Sequence, residues 1–217
     1  MTLNDTIMPA FKIVVARYSE SIEWLLPILH HCIVINKGEP LNIKNEICVP
    51  NVGRESESYL RYIIDNYHDL PEIVLFTQAT ITDHISPNET PIEYLHKLLE
   101  EAQQHGASLP RTSHNYMESP ALNSEFGPQW NIINKGFAER YGNQSAPLFC
   151  DWFCEHILPV YPNPIHMWLN GLFAVRRENI VRRPLAYYQG LIKEVNHDVD
   201  PVEGHFFERS WYYIFLY

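Results

Sequence analysis

The feature that most constrains this chain is the spacing of its apolar runs. Residues 11–17 (FKIVVAR), 32–35 (CIVI), 47–49 (ICV) and 73–77 (IVLFT) are short, continuously apolar and rich in β-branched residues. A strand with one face in water alternates apolar and polar residues, whereas a strand apolar at nearly every position has both faces covered. Between these runs lie amphipathic stretches. Ser19 to Leu26 carries Ile22, Leu25 and Leu26 on one face, and the stretch after Asn51-Val52-Gly53-Arg54-Glu55 carries Tyr59, Leu60, Ile63, Ile64 and Tyr67. The order strand, helix, strand, short strand, helix, strand predicts an α/β fold with a mostly parallel central sheet flanked by helices. In such sheets ligands sit beyond the C-terminal strand ends, where the strand order reverses. The loops after residues 17, 36 and 77 are therefore where chemistry is expected.

Beyond residue 80 the signals vary in strength. Thr90-Pro91-Ile92-Glu93 supplies a helix cap, a proline at the first helical position and the reciprocal glutamate. Ile92, Leu95, Leu98, Leu99 and Ala102 line one face of the helix that follows, and Gly106 ends it. From 107 to 147 the pattern loosens. A buried helix is predicted over 148–158, a strand over 172–175, and a helix from Pro184 through Leu185, Tyr188, Leu191 and Ile192 to Val195. The aromatic tail FFERSWYYIFLY ends the chain as helix or strand.

At 217 residues the chain suits a single domain with a substantial core. Its net charge of −10 disfavours nucleic acid and anionic membranes as partners, and also any nucleotide diphosphate unless a metal ion or well-placed Arg and Lys offset the repulsion. Cys32, Cys48, Cys150 and Cys154 form no CxxC pair and read as free buried thiols in a reducing, cytoplasmic setting. No basic leader and no run of about eighteen apolar residues is visible, so neither secretion nor membrane insertion is expected.

Four clusters stand where a parallel sheet would place a site. In Ala16-Arg17-Tyr18, a guanidinium suited to phosphate adjoins a ring suited to stacking on a base; the plainer reading is an edge arginine beside a core aromatic. In Asn51 to Glu55, Gly53 would allow close backbone approach, and Arg54 occupies a helix start where a cation is disfavoured, unless an anion or a neighbouring glutamate attends it. In Gln78 to His84, Gln78 and Thr80 lead to Asp83 and His84, which offer donors to Mn²⁺ or Mg²⁺; a capping Asp beside a surface His is the alternative. In Gly204 to Trp211, Glu208 is a candidate general base, Arg209 a cation for developing charge and His205 a metal ligand; a buried Glu-Arg pair serves equally well to stabilise a terminal helix. Arg176, Arg177, Arg182 and Arg183 read as a solvated basic face or as a phosphate contact.

Together VVARYSE (14–20), VPNVGRESESYL (49–60), LFTQATITDH (75–84), FAVRRENIVRRPLAYYQGLI (173–192) and FFERSWYYIF (206–215) resemble, in this order, a family found in fungi, algae and large DNA viruses. That family in turn resembles glycosyltransferases of the GT-A fold, including the glycosyltransferase domains of algal-virus capsid-glycan enzymes. The resemblance implies a GT-A-like, Rossmann-type sheet, with residues 1–106 binding nucleotide and 107–217 binding acceptor, in a domain that can belong to a longer chain. It implies a UDP-sugar donor of the hexose or deoxyhexose class and a glycan or glycoprotein acceptor. Ala16, Arg17, Tyr18, Gly53, Arg54, Gln78, Thr80 and Asn170 would hold the donor, with Asp83, His84 and His205 around the metal. Trp168 and Trp211 would shape the sugar pocket with Asn170. The Asp-x-Asp motif that the resemblance implies after the fourth strand is not found there; Thr80-Ile81-Thr82-Asp83 stands in its place with one carboxylate. Two rival readings remain at this level: a metal-dependent phosphoryl-transfer or hydrolytic enzyme, and a non-catalytic sugar-binding module.

Overall fold

The computed structural model describes residues 9–109, 116–118, 149–162, 165–167 and 171–217. The four apolar runs are strands β1 (Phe11–Arg17), β2 (Cys32–Asn36), β3 (Glu46–Cys48) and β4 (Ile73–Gln78), and they pair in parallel. A short pair, β5 (Tyr116–Glu118) with β6 (Ile165–Met167), stands apart as its own antiparallel ribbon. The last strand, β7 (Phe173–Arg176), adds antiparallel to β4, so the main sheet runs β3-β2-β1-β4-β7. From β1 the chain moves outward through β2 to β3, then returns to lay β4 on the other side of β1. The order thus reverses between β1 and β4, and a crevice opens beyond their C-terminal ends.

Period-two alternation distributes the strand side chains between two cores. Val14, Ile35, Val74, Phe76, Phe173 and Val175 face one side, beneath helices α1 (Arg54–Asn66) and, at the chain's end, the aromatic tail. Ile13, Val15, Val34, Ile73, Leu75 and Ala174 face the other, beneath α2 (Pro91–His105) and a 3₁₀ helix over Glu23–His31. Both faces are covered, as continuous apolar strands require. Helix α2 begins with the full capping box, Thr90 and Glu93 exchanging side-chain and backbone bonds, and ends at Gly106.

After α2 come α3 (Phe149–His156), α4 (Arg177–Val181), α5 (Leu185–Leu191) and α6 (Val202–Leu216). The tail is helical, and its rings weld it to the sheet: Trp211 stacks on Phe215 at 5.7 Å and lies 5.3 Å from Phe173. Hence β7 and α6, from the second half of the chain, complete the sheet and core begun by the first. No helix among the described residues is long and apolar enough to cross a membrane.

Three expectations need correction. The helix predicted over 19–26 is instead the 3₁₀ segment Glu23–His31. Pro27 lies inside it and cannot donate the bond an α-helix needs, while Glu20 turns its carboxylate back onto the amides of Tyr18 and Ser19. The helix expected to run to Val195 ends at Leu191 and finishes as a 3₁₀ turn over Ile192–Glu194. Finally, all four cysteines are free but only Cys32 is buried, its thiol pushed up to about 12 by burial; Cys48 lies exposed on edge strand β3, and Cys150 and Cys154 are partly exposed.

Candidate functional site

The crevice between the ends of β1 and β4 is a cleft of about 570 Å³. From β1 come Ala16, Arg17 and Tyr18; from β4 and its loop come Gln78, Thr80 and Asp83. The β3–α1 connection adds Asn51, Arg54 and Glu55, and the loop before α6 adds Val199 and Asp200. Glu20 and Lys37 complete the lining. Three of the four sequence clusters therefore converge on one site, because parallel strands deliver their C-terminal loops to the same edge of the sheet.

The guanidinium of Arg17 is held in a clasp. Its Nε donates to the Glu20 carbonyl at 2.9 Å, and its Nη1 reaches the Tyr18 carbonyl, the Asn36 amide oxygen at 2.7 Å and the Glu39 carbonyl. Buried Asn36 extends the clasp, receiving the Gly38 amide and donating to the Glu39 carbonyl and to Glu46. Arg17 thus shapes the β1 and β2 loops with these four contacts, and among the described residues its Nη2 has no hydrogen-bond partner. Tyr18 is about half exposed (52%), and a comparably exposed (53%) Val199 lines the same cleft.

Lys37 points inward. Its ammonium donates to the carbonyls of Val52 and Arg54 and lies 3.0 Å from Glu57, which is fully buried and also binds Arg61. Burial lowers the Lys37 pKa, against the raising influence of Glu57. These bonds pin the turn in which Gly53 and Arg54 both adopt left-handed backbone, with φ of 65° and 50°. Gly53 is needed there for packing, not for ligand approach as expected: a Cβ would stand 2.5 Å from that of Glu57 and 2.6 Å from the Val195 carbonyl. Its amide bonds the Asp198 carbonyl at 2.8 Å. Gly53 itself lies behind the cleft wall.

Arg54 does reach the cleft, where its Nη1 lies 3.4 Å from Asp200 and 3.0 Å from the His205 Nε2. That contact engages Nε2 of His205 and places the ring against Arg54. Asp83 is 72% exposed, with His84 at 3.6 Å as its ion-pair partner; His84 is not part of the cleft lining. Among the described residues no three His, Cys, Asp or Glu side chains are grouped to hold a metal. The expected trio of Asp83, His84 and His205 is therefore not assembled; Asp83 alone of the three lines the cleft.

The remaining expectations separate by location. Glu208 lies between His205 and Arg209, each at 3.9 Å, and is not in the lining. Arg209 is buried and donates to the His205 carbonyl one turn back, which makes it a brace within α6. Trp211 is wholly buried in the core, so it shapes no sugar pocket. Arg176 sits opposite Ile73, at the far end of β4 from the cleft; Arg177 binds the Leu70 carbonyl, and Arg183 lies over the Tyr187 ring at 5.3 Å. Asn170 and Trp168 fall outside the described residues. Sequence reasoning missed Lys37 and treated Glu55 only as a partner for Arg54. For Lys37 a signal existed, since the loop after residue 36 was marked as a strand end.

The lining carries three cations, Arg17, Lys37 and Arg54, against four carboxylates, Glu20, Glu55, Asp83 and Asp200. The cleft is thus an oxygen-rich polar site with no cationic surplus. No curated protein and no solved structure matches the chain. Residues 13–217, which include every strand and helix described above apart from the first two residues of β1, match the family described as protein of unknown function (DUF3431), and the chain belongs to that family.

Proposed function

We propose that the chain is a metal-assisted glycosyltransferase of the GT-A type, moving a sugar from a UDP-sugar to a hydroxyl of a glycan or glycoprotein. The observation that carries this reading is the convergence of Arg17, Tyr18, Arg54 and Asp83 on one cleft at the reversal point of a mostly parallel sheet. That is the place where such sheets bind nucleotides, and the volume of about 570 Å³ falls within the range of small-ligand sites. The exposed ring of Tyr18 and the exposed Val199 offer apolar surfaces to a base. Arg17 Nη2 and Arg54 offer donors to phosphate oxygens.

With four carboxylates against three cations, the cleft admits a diphosphate only if it brings positive charge with it. Exposed Asp83 fits Mn²⁺ or Mg²⁺ as a single hard oxygen donor, the rest of the shell coming from phosphates and water, as these ions commonly accept. When bound, the ion offsets the charge that gathers on the leaving diphosphate. In the transfer, the bond from the anomeric carbon to the phosphate oxygen breaks with its electron pair going to UDP. The acceptor oxygen bonds that carbon, and its proton passes to solvent.

The test is calorimetric titration of UDP with and without Mn²⁺. Tight binding that depends on Mn²⁺, and that falls at least about tenfold in Asp83→Ala with an unchanged melting temperature, supports the reading. Metal-independent binding of equal strength in both proteins would sink it.

A further inference from the structure

Glu55 occupies the first turn of α1, and only 11% of its side chain is exposed. Its nearest cation is Arg54 Nε at 3.7 Å, well beyond the 2.7–2.9 Å of a charge-assisted hydrogen bond. Among the described residues none donates a hydrogen bond to either carboxylate oxygen. The Glu55 carboxylate lines the cleft, so its lone pairs are left to water or to a ligand there.

Next to it stands Gln78, at the end of β4, whose side-chain amide likewise has no hydrogen-bond partner among the described residues. Gly171 separates the two. Its φ is +56°, and a Cβ there would lie 3.4 Å from Gln78 Nε2 and 3.6 Å from Glu55 Cγ. Tyr59, one turn after Glu55, donates to the Gly171 carbonyl at 2.9 Å and so holds that backbone in place. A carboxylate and an amide, both in the cleft lining, thus flank a residue with no side chain.

We propose that Glu55 and Gln78 form the subsite for the transferred sugar, Glu55 accepting hydrogen bonds from sugar hydroxyls and Gln78 donating to a hydroxyl oxygen. A polyol supplies the donors that the carboxylate lacks; a phosphate supplies none and would be repelled. The inference rests on the reading of the cleft as a UDP-sugar site and assigns the sugar to the β4–α1 side, with the base toward Tyr18. A site built to bond hydroxyls discriminates strongly against ligands without them, since the buried partners are then left unpaired.

The experiment measures affinities for UDP, UDP-glucose, UDP-galactose and UDP-xylose in the presence of Mn²⁺, for the native chain, Glu55→Gln and Gln78→Ala. For the sugar nucleotide that the native chain binds best, the ratio of its Kd to that of UDP should rise about tenfold or more in Glu55→Gln, and by less in Gln78→Ala. Affinity for UDP itself should stay within about threefold, and the melting temperature should not fall. An unchanged ratio in both variants overturns the sugar subsite while leaving the donor reading intact. An equal loss for UDP and UDP-sugar also overturns it, because Glu55 then acts through Arg54. Failure of the native chain to bind UDP removes the reading and the inference together.

Discussion

Replacing Lys37 by methionine tests whether the ion cluster beneath the cleft wall holds the β3–α1 turn. The Lys37 side chain is 4% exposed and that of Glu57 is not exposed at all. Methionine keeps the length and removes the charge, so Glu57 loses a partner without gaining water. Stripping one partner from a buried pair costs about 3–5 kcal/mol. Arg61 still binds Glu57 at 2.7 Å, which argues for the lower end, about 3 kcal/mol. The carbonyls of Val52 and Arg54 also lose their donor, at about 1 kcal/mol each. The expected loss is therefore about 4–5 kcal/mol, a large part of the roughly 5–15 kcal/mol by which domains are stable. Urea unfolding followed by tryptophan fluorescence should show the midpoint falling by about 2 M at an unchanged slope. Adding Glu57→Gln to the Lys37→Met chain should recover part of the loss, since the buried charge is gone while the amide oxygen can still accept from Arg61. A loss below about 1 kcal/mol, or a double variant weaker than the single one, refutes the argument.

Alkali should destabilise the fold. Burial pushes the phenols of Tyr62 and Tyr187 up to about 12, and raises those of Tyr59 and Tyr188 further. The folded chain keeps protons that the unfolded chain releases near pH 10, so this stability is complete below pH 10 and is lost as pH climbs toward 12. Each phenol contributes a slope of up to about 1.4 kcal/mol per pH unit; a urea midpoint that rises between pH 9.5 and 11.5 contradicts this. Thr90→Ala removes the hydroxyl half of the α2 capping box, which accepts the Glu93 amide, while the residue-90 amide still donates to the Glu93 carboxylate; it should cost about 1 kcal/mol, read by the same unfolding assay. No change in midpoint there would mean that the cap is not holding the helix start.

Much of the fold was legible because it is written in local patterns. The runs FKIVVAR and IVLFT declare two-sided burial, and β1 and β4 follow them within a residue. Thr90-Pro91-Ile92-Glu93 states the start of α2 in full. Long-range effects were not legible. Nothing near Glu23 announces that Pro27 and the back-turned Glu20 will convert an α-helix into a 3₁₀ segment that starts four residues late. Nor does the tail declare helix over strand, since all-round apolarity hides its period; ten of its fifteen residues are buried. The site divided in the same way. That Arg17, Arg54 and Asp83 share an edge follows from strand ends, which periodicity locates. What each charge does there depends on partners far away in sequence: Glu39 for Arg17, Asp200 and His205 for Arg54, Val52 and Glu57 for Lys37.

Those partners change the electrostatic argument itself. From composition, an acidic chain was expected to gather cations at the rim of its sheet in order to admit a diphosphate. The cations are there, but each is already engaged. Arg17 spends Nε and Nη1 on carbonyls and an amide oxygen, Lys37 turns into a buried cluster, and Arg54 is shared between Asp200 and His205. Their first effect is to stiffen the three loops that form the cleft, which lowers the ordering cost of binding and does not by itself attract an anion. In the proposed reaction, attraction then comes from a cation that arrives with the diphosphate, and the exposed carboxylate of Asp83 would receive it. The same division explains why Glu55 stands apart. In a wall where the charges are committed to loops, a carboxylate that lines the cleft with no hydrogen bond from the described residues is left open for a ligand to complete.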